Sequence, residues 1–184
     1  MNNNIIQDQG HIFVPFLSDI KIVNEVYRLA KELEKDYLNG LVLCPVLSGA
    51  FMFTSDLVKD IKVPVELNFI KYGSYQGTES TKVLAAELPF NPVKIRNKDI
   101  VIVEDIVDSG FTVDKLRKNA LKLGARSVKV CTLLFRPRAF KGQQKPEYIG
   151  YSLPDDIGFV IGYGMDLDER YRELPKIYAE RLMK

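Results

Sequence analysis

The stretch DIVIVEDIVDSGFTVDKL, residues 99–116, decides the fold. Residues 100–104 begin as a continuous apolar run, which marks a strand buried on both faces. Glu104, Asp105 and Asp108 follow within a few positions, with Ser109, Gly110, Phe111 and Thr112 behind them. Val113, Leu116, Ala120 and Leu123 then recur at helical spacing until Gly124, a residue suited to closing a helix. The stretch reads as strand, polar turn, helix, with three carboxylates where one element gives way to the other.

The same alternation runs outward in both directions. Ser18 is placed to cap a helix carrying Ile22, Val26, Ala30, Leu33 and Tyr37 on one face, and Asn39-Gly40 ends it. LVLCPVL (41–47) is a second buried strand, Gly49 opens a helical pattern through Phe53, Leu57 and Ile61, and PVELNFI (64–70) reads as a strand. KYGSYQGTESTK (71–82) has no apolar period and reads as a loop. SVKVCTLLF (127–135), YIGYSL (148–153) and GFVIGYG (158–164) supply further strands, and LPKIYAERLMK (174–184) reads as a terminal helix started by Pro175. The expectation is an α/β fold, one domain over residues 1–184, with a central, mainly parallel sheet flanked by helices. In such folds ligands bind beyond the carboxyl ends of the strands, where the three carboxylates stand.

Composition narrows the function classes. At 184 residues with 46% hydrophobic and 27% charged side chains, the chain has the balance of an ordinary globular domain. A net charge of +2 does not argue for nucleic acid. No apolar run reaches the length of a membrane span and the start lacks a secretory pattern, so a cytoplasmic location is expected. Cys44 and Cys131 sit inside apolar runs and read as buried thiols. The single histidine, His11, has no acid or nucleophile near it in sequence and reads as structural.

The central motif has a chemistry of its own. Backbone N–H groups of residues 109–112 precede or open a helix, so they can converge on a phosphate, with Gly110 allowing close approach and the Ser109 and Thr112 hydroxyls adding donors. Glu104 and Asp105 would repel that phosphate and instead suit a diol or a hydrated metal ion. Phosphate on one side and diol on the other describe a ribose 5-phosphate. Read alone, Asp108 is equally an N-cap for the following helix.

VIVEDIVDSGFT resembles the phosphoribosyl diphosphate (PRPP) signature of type I phosphoribosyltransferases, and is most similar to that of the hypoxanthine-guanine enzymes. PVLSGAFMFTSDLVKDI resembles their pyrophosphate loop and its helix, SYQGTEST their lid, and KPEYIGYSLPDDIGFVIGYGMDLDERYREL their purine-binding segment. The resemblance runs in the family's order from about residue 10 to the carboxyl end. It implies the type I fold with a small hood made by the chain ends, transfer of the phosphoribosyl group to N9 of hypoxanthine and also guanine, Mg²⁺ as cofactor, and a dimer or tetramer.

Residue by residue, the resemblance implies that Glu104 and Asp105 contact the ribose hydroxyls, and with Asp166 lie at the metal. The turn from Asp108 to Thr112 holds the 5-phosphate, with Asp108 as proton acceptor near purine N7. Ser48 and Gly49 offer backbone donors to pyrophosphate, after a Leu47-Ser48 peptide that is often cis in the family. Ser74 and Tyr75 match the lid. Phe159 stacks on the purine, Val160 contacts its edge through the backbone, and Arg172 contacts pyrophosphate. Three positions depart from the common pattern: Ser48 replaces a Lys, Arg136 stands where a Lys reads the purine 6-oxygen, and Lys71 replaces an Arg. Two other readings are a regulator that senses PRPP or nucleotides without turnover, and a PRPP transferase for another base.

Overall fold

The computed structural model describes residues 5–72 and 86–181. In chain order it contains β1 (Ile6–Asp8), β2 (His11–Leu17), α1 (Asp19–Asp36), β3 (Leu41–Leu47), α2 (Phe51–Asp60), β4 (Val65–Leu67), β5 (Ile70–Tyr72), β6 (Ala86–Leu88), α3 (Pro92–Ile95), β7 (Asp99–Val107), α4 (Phe111–Lys122), β8 (Ser127–Phe135), β9 (Tyr148–Ser152), β10 (Ile157–Ile161) and β11 (Ile177–Arg181).

The main sheet has the order β6-β5-β3-β7-β8-β9, with β4 also paired to β3. All of its pairings are parallel except β5 with β6. The apolar run of β7 is buried throughout, since Ile100, Val101, Ile102 and Val103 are all solvent-inaccessible. Its alternate residues feed two cores. Val101 and Val103 pack with α1 and α2 through Leu29, Leu33, Phe53 and Leu57, whereas Ile100 and Ile102 pack with α4 through Val113, Leu116 and Ala120.

This division locates the site. After β3 the chain proceeds to β4 and β5 on one side, and after β7 it proceeds to β8 and β9 on the other, with the following helices on opposite faces. The carboxyl ends of β3 and β7 therefore form the switch point at which an open parallel sheet leaves a crevice.

A second sheet of four antiparallel strands, β1-β2-β11-β10, covers that end as a hood. Its strand β11 corrects the expectation of a terminal helix over 174–184. Leu174, Ile177 and Tyr178 do fall at helical spacing, but Ile177, Tyr178 and Ala179 are all buried, and β11 hydrogen-bonds to β2 on one side and β10 on the other. A place between two strands overrides the local period. The expected strand over 64–70 is likewise two short strands, broken at Asn68, whose amide donates to Leu43 O (3.0 Å) and whose side chain accepts from the Asn91 amide (2.9 Å). Lys71 and Tyr72 belong to β5, so the sheet reaches into the segment expected as loop. The remainder of that segment lies outside the described residues.

Candidate active site

β7 continues through Glu104 and Asp105 to Val107, and the chain turns at Asp108 and Ser109 before α4. Gly110 occupies the N-cap with φ +83°, a conformation that favours glycine. A Cβ there would lie 2.4 Å from the Phe140 ring, so glycine is also required by packing. Asp114 is the first residue whose amide donates back, to Gly110 O (3.0 Å), and the amides of the preceding residues are left at the helix start for an anion. The turn is braced from behind: the amide of Arg136 donates to Val107 O (3.0 Å), that of Lys141 to Ser109 O (2.9 Å), and that of Gln143 to Asp114 Oδ2 (2.7 Å). Phe140 packs edge-on against Phe135 at 5.3 Å. No motif pointed to this brace, although its Pro137, Phe140 and Gly142 follow directly on a strand.

Alternation sends Glu104 and Asp105 to opposite faces of the strand end. Glu104 is buried, and among the described residues no group donates a hydrogen bond to it or pairs with it. Burial, and then the charge of Asp105, hold its carboxyl well above the ordinary carboxylate range. Burial also raises Asp105, opposed by a hydrogen bond from the Ile106 amide (2.8 Å) and by the charge of Arg172. Such a pair of oxygen donors, desolvated and short of positive charge, fits a hydrated Mg²⁺ or sugar hydroxyls.

Three turns meet beside Asp105. The Leu47-Ser48 peptide after β3 is cis, as the resemblance implied, and Gly49 follows it. A Cβ on Gly49 would lie 1.9 Å from Asp105 Oδ2, and one on Gly164 would lie 2.0 Å from Gly49 O. Arg172 completes this corner: its guanidinium donates to Gly164 O (2.8 Å) and pairs with Asp166 (3.0 Å), whose other oxygen accepts from the Glu169 amide (2.9 Å).

A cleft of about 190 Å³ opens from this corner, lined by Asp105, Asp108, Arg136, Phe159, Val160 and Asp166 among others. Asp108 is exposed, and Arg136 Nε forms an ion pair with its Oδ1 (3.0 Å). The same guanidinium donates to the carbonyls of Ile157 (2.5 Å) and Gly158 (2.8 Å) on β10. Phe159 keeps 45% of its surface exposed, and Val160 is buried in register with Ala179. His11 lies behind Phe159 at 6.2 Å between ring centres and stacks on Phe13. The fold does bring it an acid, because Glu180 of β11 approaches Nδ1 at 3.2 Å, a partner far away in sequence.

Of the residues singled out in the sequence, Asp105, Asp108, Arg136, Phe159, Val160 and Asp166 line this cleft, Gly49 and Arg172 meet it at the Asp105 corner, and Glu104, Ser48 and residues 109–112 adjoin these along the chain. Lys71 is paired with Glu87 at 2.7 Å. Ser74 and Tyr75 lie outside the described residues. Tyr163 and Asp56, joined by a hydrogen bond of 2.7 Å, were missed. Tyr163 looks like one more core aromatic in GFVIGYG, and only its neighbouring glycines hinted at a special turn.

A strand-end acid pair, an anion-binding helix start and a hooded crevice define a class of sugar-phosphate transferases, and a family model of the phosphoribosyl transferase domain matches residues 17–168. The chain belongs to the phosphoribosyltransferase family. Within it, the chain is similar to the hypoxanthine-guanine phosphoribosyltransferase of Mycobacterium tuberculosis, at 36% identity over 91% of this chain and 86% of that one. It is also similar to the hypoxanthine phosphoribosyltransferase of Escherichia coli, at 39% identity over 84% and 86%. A crystal structure of a hypoxanthine-guanine phosphoribosyltransferase from Bacillus anthracis superposes with a TM-score of 0.84 at 35% identity, covering 95% of this chain and 98% of that one.

Proposed function

We infer that this chain transfers the 5-phosphoribosyl group of PRPP to N9 of hypoxanthine, and of guanine as well, releasing pyrophosphate and forming the nucleoside monophosphate. One observation carries this reading: an exposed carboxylate, Asp108, stands between the anion-binding helix start and a cleft walled by Arg136 and Phe159. A regulator that only sensed PRPP would have no use for a proton acceptor facing a base-sized cleft.

In the proposed reaction the N9–C1′ bond forms as the bond from C1′ to the pyrophosphate oxygen breaks, its electron pair leaving with pyrophosphate. The purine becomes more acidic as N9 is alkylated, so a proton can pass from N7 to Asp108 Oδ2 while Oδ1 stays on Arg136. Arg136 has five N–H donors, and those not engaged by Asp108 and β10 suit the 6-oxygen of the purine. Phe159 offers a stacking face. The helix start at Gly110 to Thr112 holds the 5-phosphate, and Glu104 and Asp105 accept from the ribose hydroxyls. The Ser48 and Gly49 amides and Arg172 receive the pyrophosphate. Glu104, Asp105 and Asp166 would hold Mg²⁺ through water, and when bound it neutralises charge that builds on the leaving pyrophosphate. By their match to the family lid, Ser74 and Tyr75 would cover the sugar and exclude water.

No helix of the described residues is long and apolar enough to cross a membrane. We place the protein in the cytoplasm and expect it to act as one domain in a homo-oligomer, a dimer or tetramer, without nucleic acid or membrane partners.

A spectrophotometric assay with PRPP, Mg²⁺ and each of hypoxanthine, guanine, xanthine and adenine tests the reading. Turnover of the two 6-oxopurines, reduced about 10²–10⁴-fold in Asp108→Asn, is expected. Folded protein that turns over no purine would identify a sensor instead.

A further inference from the structure

Tyr163 sits in the turn after β10, 4% exposed, and its hydroxyl donates to Asp56 Oδ2 at 2.7 Å. Asp56 belongs to α2, the helix that follows the Leu47–Gly49 turn. Tyr163 adopts φ +50°, between Gly162 at +93° and Gly164 at +99°. Glycines tolerate this region, but a tyrosine there is disfavoured by about 1 kcal/mol or more, so its side chain must be held by something specific. Burial and the bond to Asp56 push the phenol further up, keeping it a donor at any working pH.

The backbone on both sides of Tyr163 is in tight contact. Added Cβ atoms would lie 2.1 Å from Lys176 O at Gly162 and 2.0 Å from Gly49 O at Gly164. Gly164 also accepts from Arg172 through its carbonyl and donates to Arg172 O through its amide (2.9 Å). One residue of the hood therefore touches the Gly49 turn on one side and the Arg172 guanidinium on the other, and the next residue back is tied to α2.

We propose that the Tyr163–Asp56 hydrogen bond is a positioning device for the leaving group: it fixes the Gly164 turn against Gly49, setting the spacing between the Ser48–Gly49 amides and Arg172. It governs the affinity for pyrophosphate and for the pyrophosphate end of PRPP and leaves the purine subsite alone. The inference rests on the assignment of these groups to pyrophosphate made above.

Calorimetric titration with Mg²⁺-pyrophosphate, alongside steady-state KM values for PRPP and hypoxanthine, tests it on wild type, Tyr163→Phe, Asp56→Ala, Asp56→Asn and the Tyr163→Phe/Asp56→Ala double variant. Tyr163→Phe keeps the ring and removes only the donor. It should weaken pyrophosphate binding and raise KM for PRPP about tenfold, with KM for hypoxanthine within about twofold. Asp56→Ala should match it, the double variant should be no worse than either single one, and Asp56→Asn, which keeps an acceptor, should recover most of what Asp56→Ala loses.

Unchanged pyrophosphate affinity in Tyr163→Phe, equal losses for PRPP and purine, or no recovery in Asp56→Asn would overturn the proposal. So would wild-type protein that fails to bind pyrophosphate. If Tyr163→Phe does not fold, the contrast between Asp56→Asn and Asp56→Ala decides alone. Wild type that binds pyrophosphate yet transfers ribose to no purine would instead defeat the proposed function.

Discussion

Glu104 follows the fully buried run Ile100 to Val103 of β7 with a carboxyl that no described group pairs with. Because the folded-state pKa values of Glu104 and Asp105 are raised, the folded protein holds protons that the unfolded chain has released. The stability these groups contribute is therefore full in acid and is lost as pH rises from the ordinary carboxylate range through the raised values. Glu104→Gln should raise the melting temperature of the ligand-free protein by a few degrees at neutral pH, with the gain vanishing near pH 4, while PRPP affinity falls. A melting temperature unchanged or lowered at neutral pH would contradict the account. Binding of Mg²⁺-PRPP to wild type should release protons, detectable as a binding enthalpy that varies with the ionisation enthalpy of the buffer. Arg136 makes the second case. Its departure from Lys was visible in the sequence, but its three partners were not, since Asp108, Ile157 and Gly158 meet only in the fold. A lysine cannot fork to all three. Arg136→Lys should accordingly raise KM for hypoxanthine about tenfold and leave KM for PRPP near its wild-type value; equal KM values in variant and wild type would remove Arg136 from the purine subsite.

Elements were legible where the local apolar pattern matches the element formed and obscure where neighbours decide. The helices α1 and α4 carry apolar residues at clean helical spacing, and Ser18 does cap α1 through a hydrogen bond from the Lys21 amide (3.4 Å). The strand β3 announces itself as an unbroken apolar run, and β7 and β8 by runs of consecutive buried residues within them. In contrast, β11 reads as helix because both of its faces and both of its edges are occupied, and no local period encodes that. The turns proposed to bind ligand were recognisable by their glycines, but not by what those glycines touch. Gly49 is the sharpest example, since any side chain would collide with the Asp105 carboxylate. Gly49→Ala is expected to fold with a melting temperature close to wild type and to lose at least about tenfold in kcat/KM for PRPP, as the turn and the carboxylate are pushed apart. Wild-type kinetics in that variant would mean that the close approach has no role in the reaction.

Two sheets with different strand directions suggest two folding units, yet the packing argues for one. Leu17, Ile157, Val160, Ile177 and Ala179 of the hood lie in the same buried cluster as Leu29, Leu33, Phe53 and Val101 around the main sheet. The alternation of strand and helix foretold a parallel sheet, but the shared core depends on strands from opposite ends of the chain, which pattern alone does not join. Because hood and sheet bury each other, neither presents a complete core when separated, and cooperative unfolding follows. Urea denaturation followed by far-UV circular dichroism and by tyrosine fluorescence should give coincident transitions. Ile177 is fully buried on β11 and contributes to the common cluster, so Ile177→Ala should lower stability by about 2–5 kcal/mol and shift both signals together. If the variant showed an early transition in one signal with the other held at its wild-type midpoint, the hood would be an independently melting unit. The crevice beneath it would then be assembled by docking of two separately folded parts.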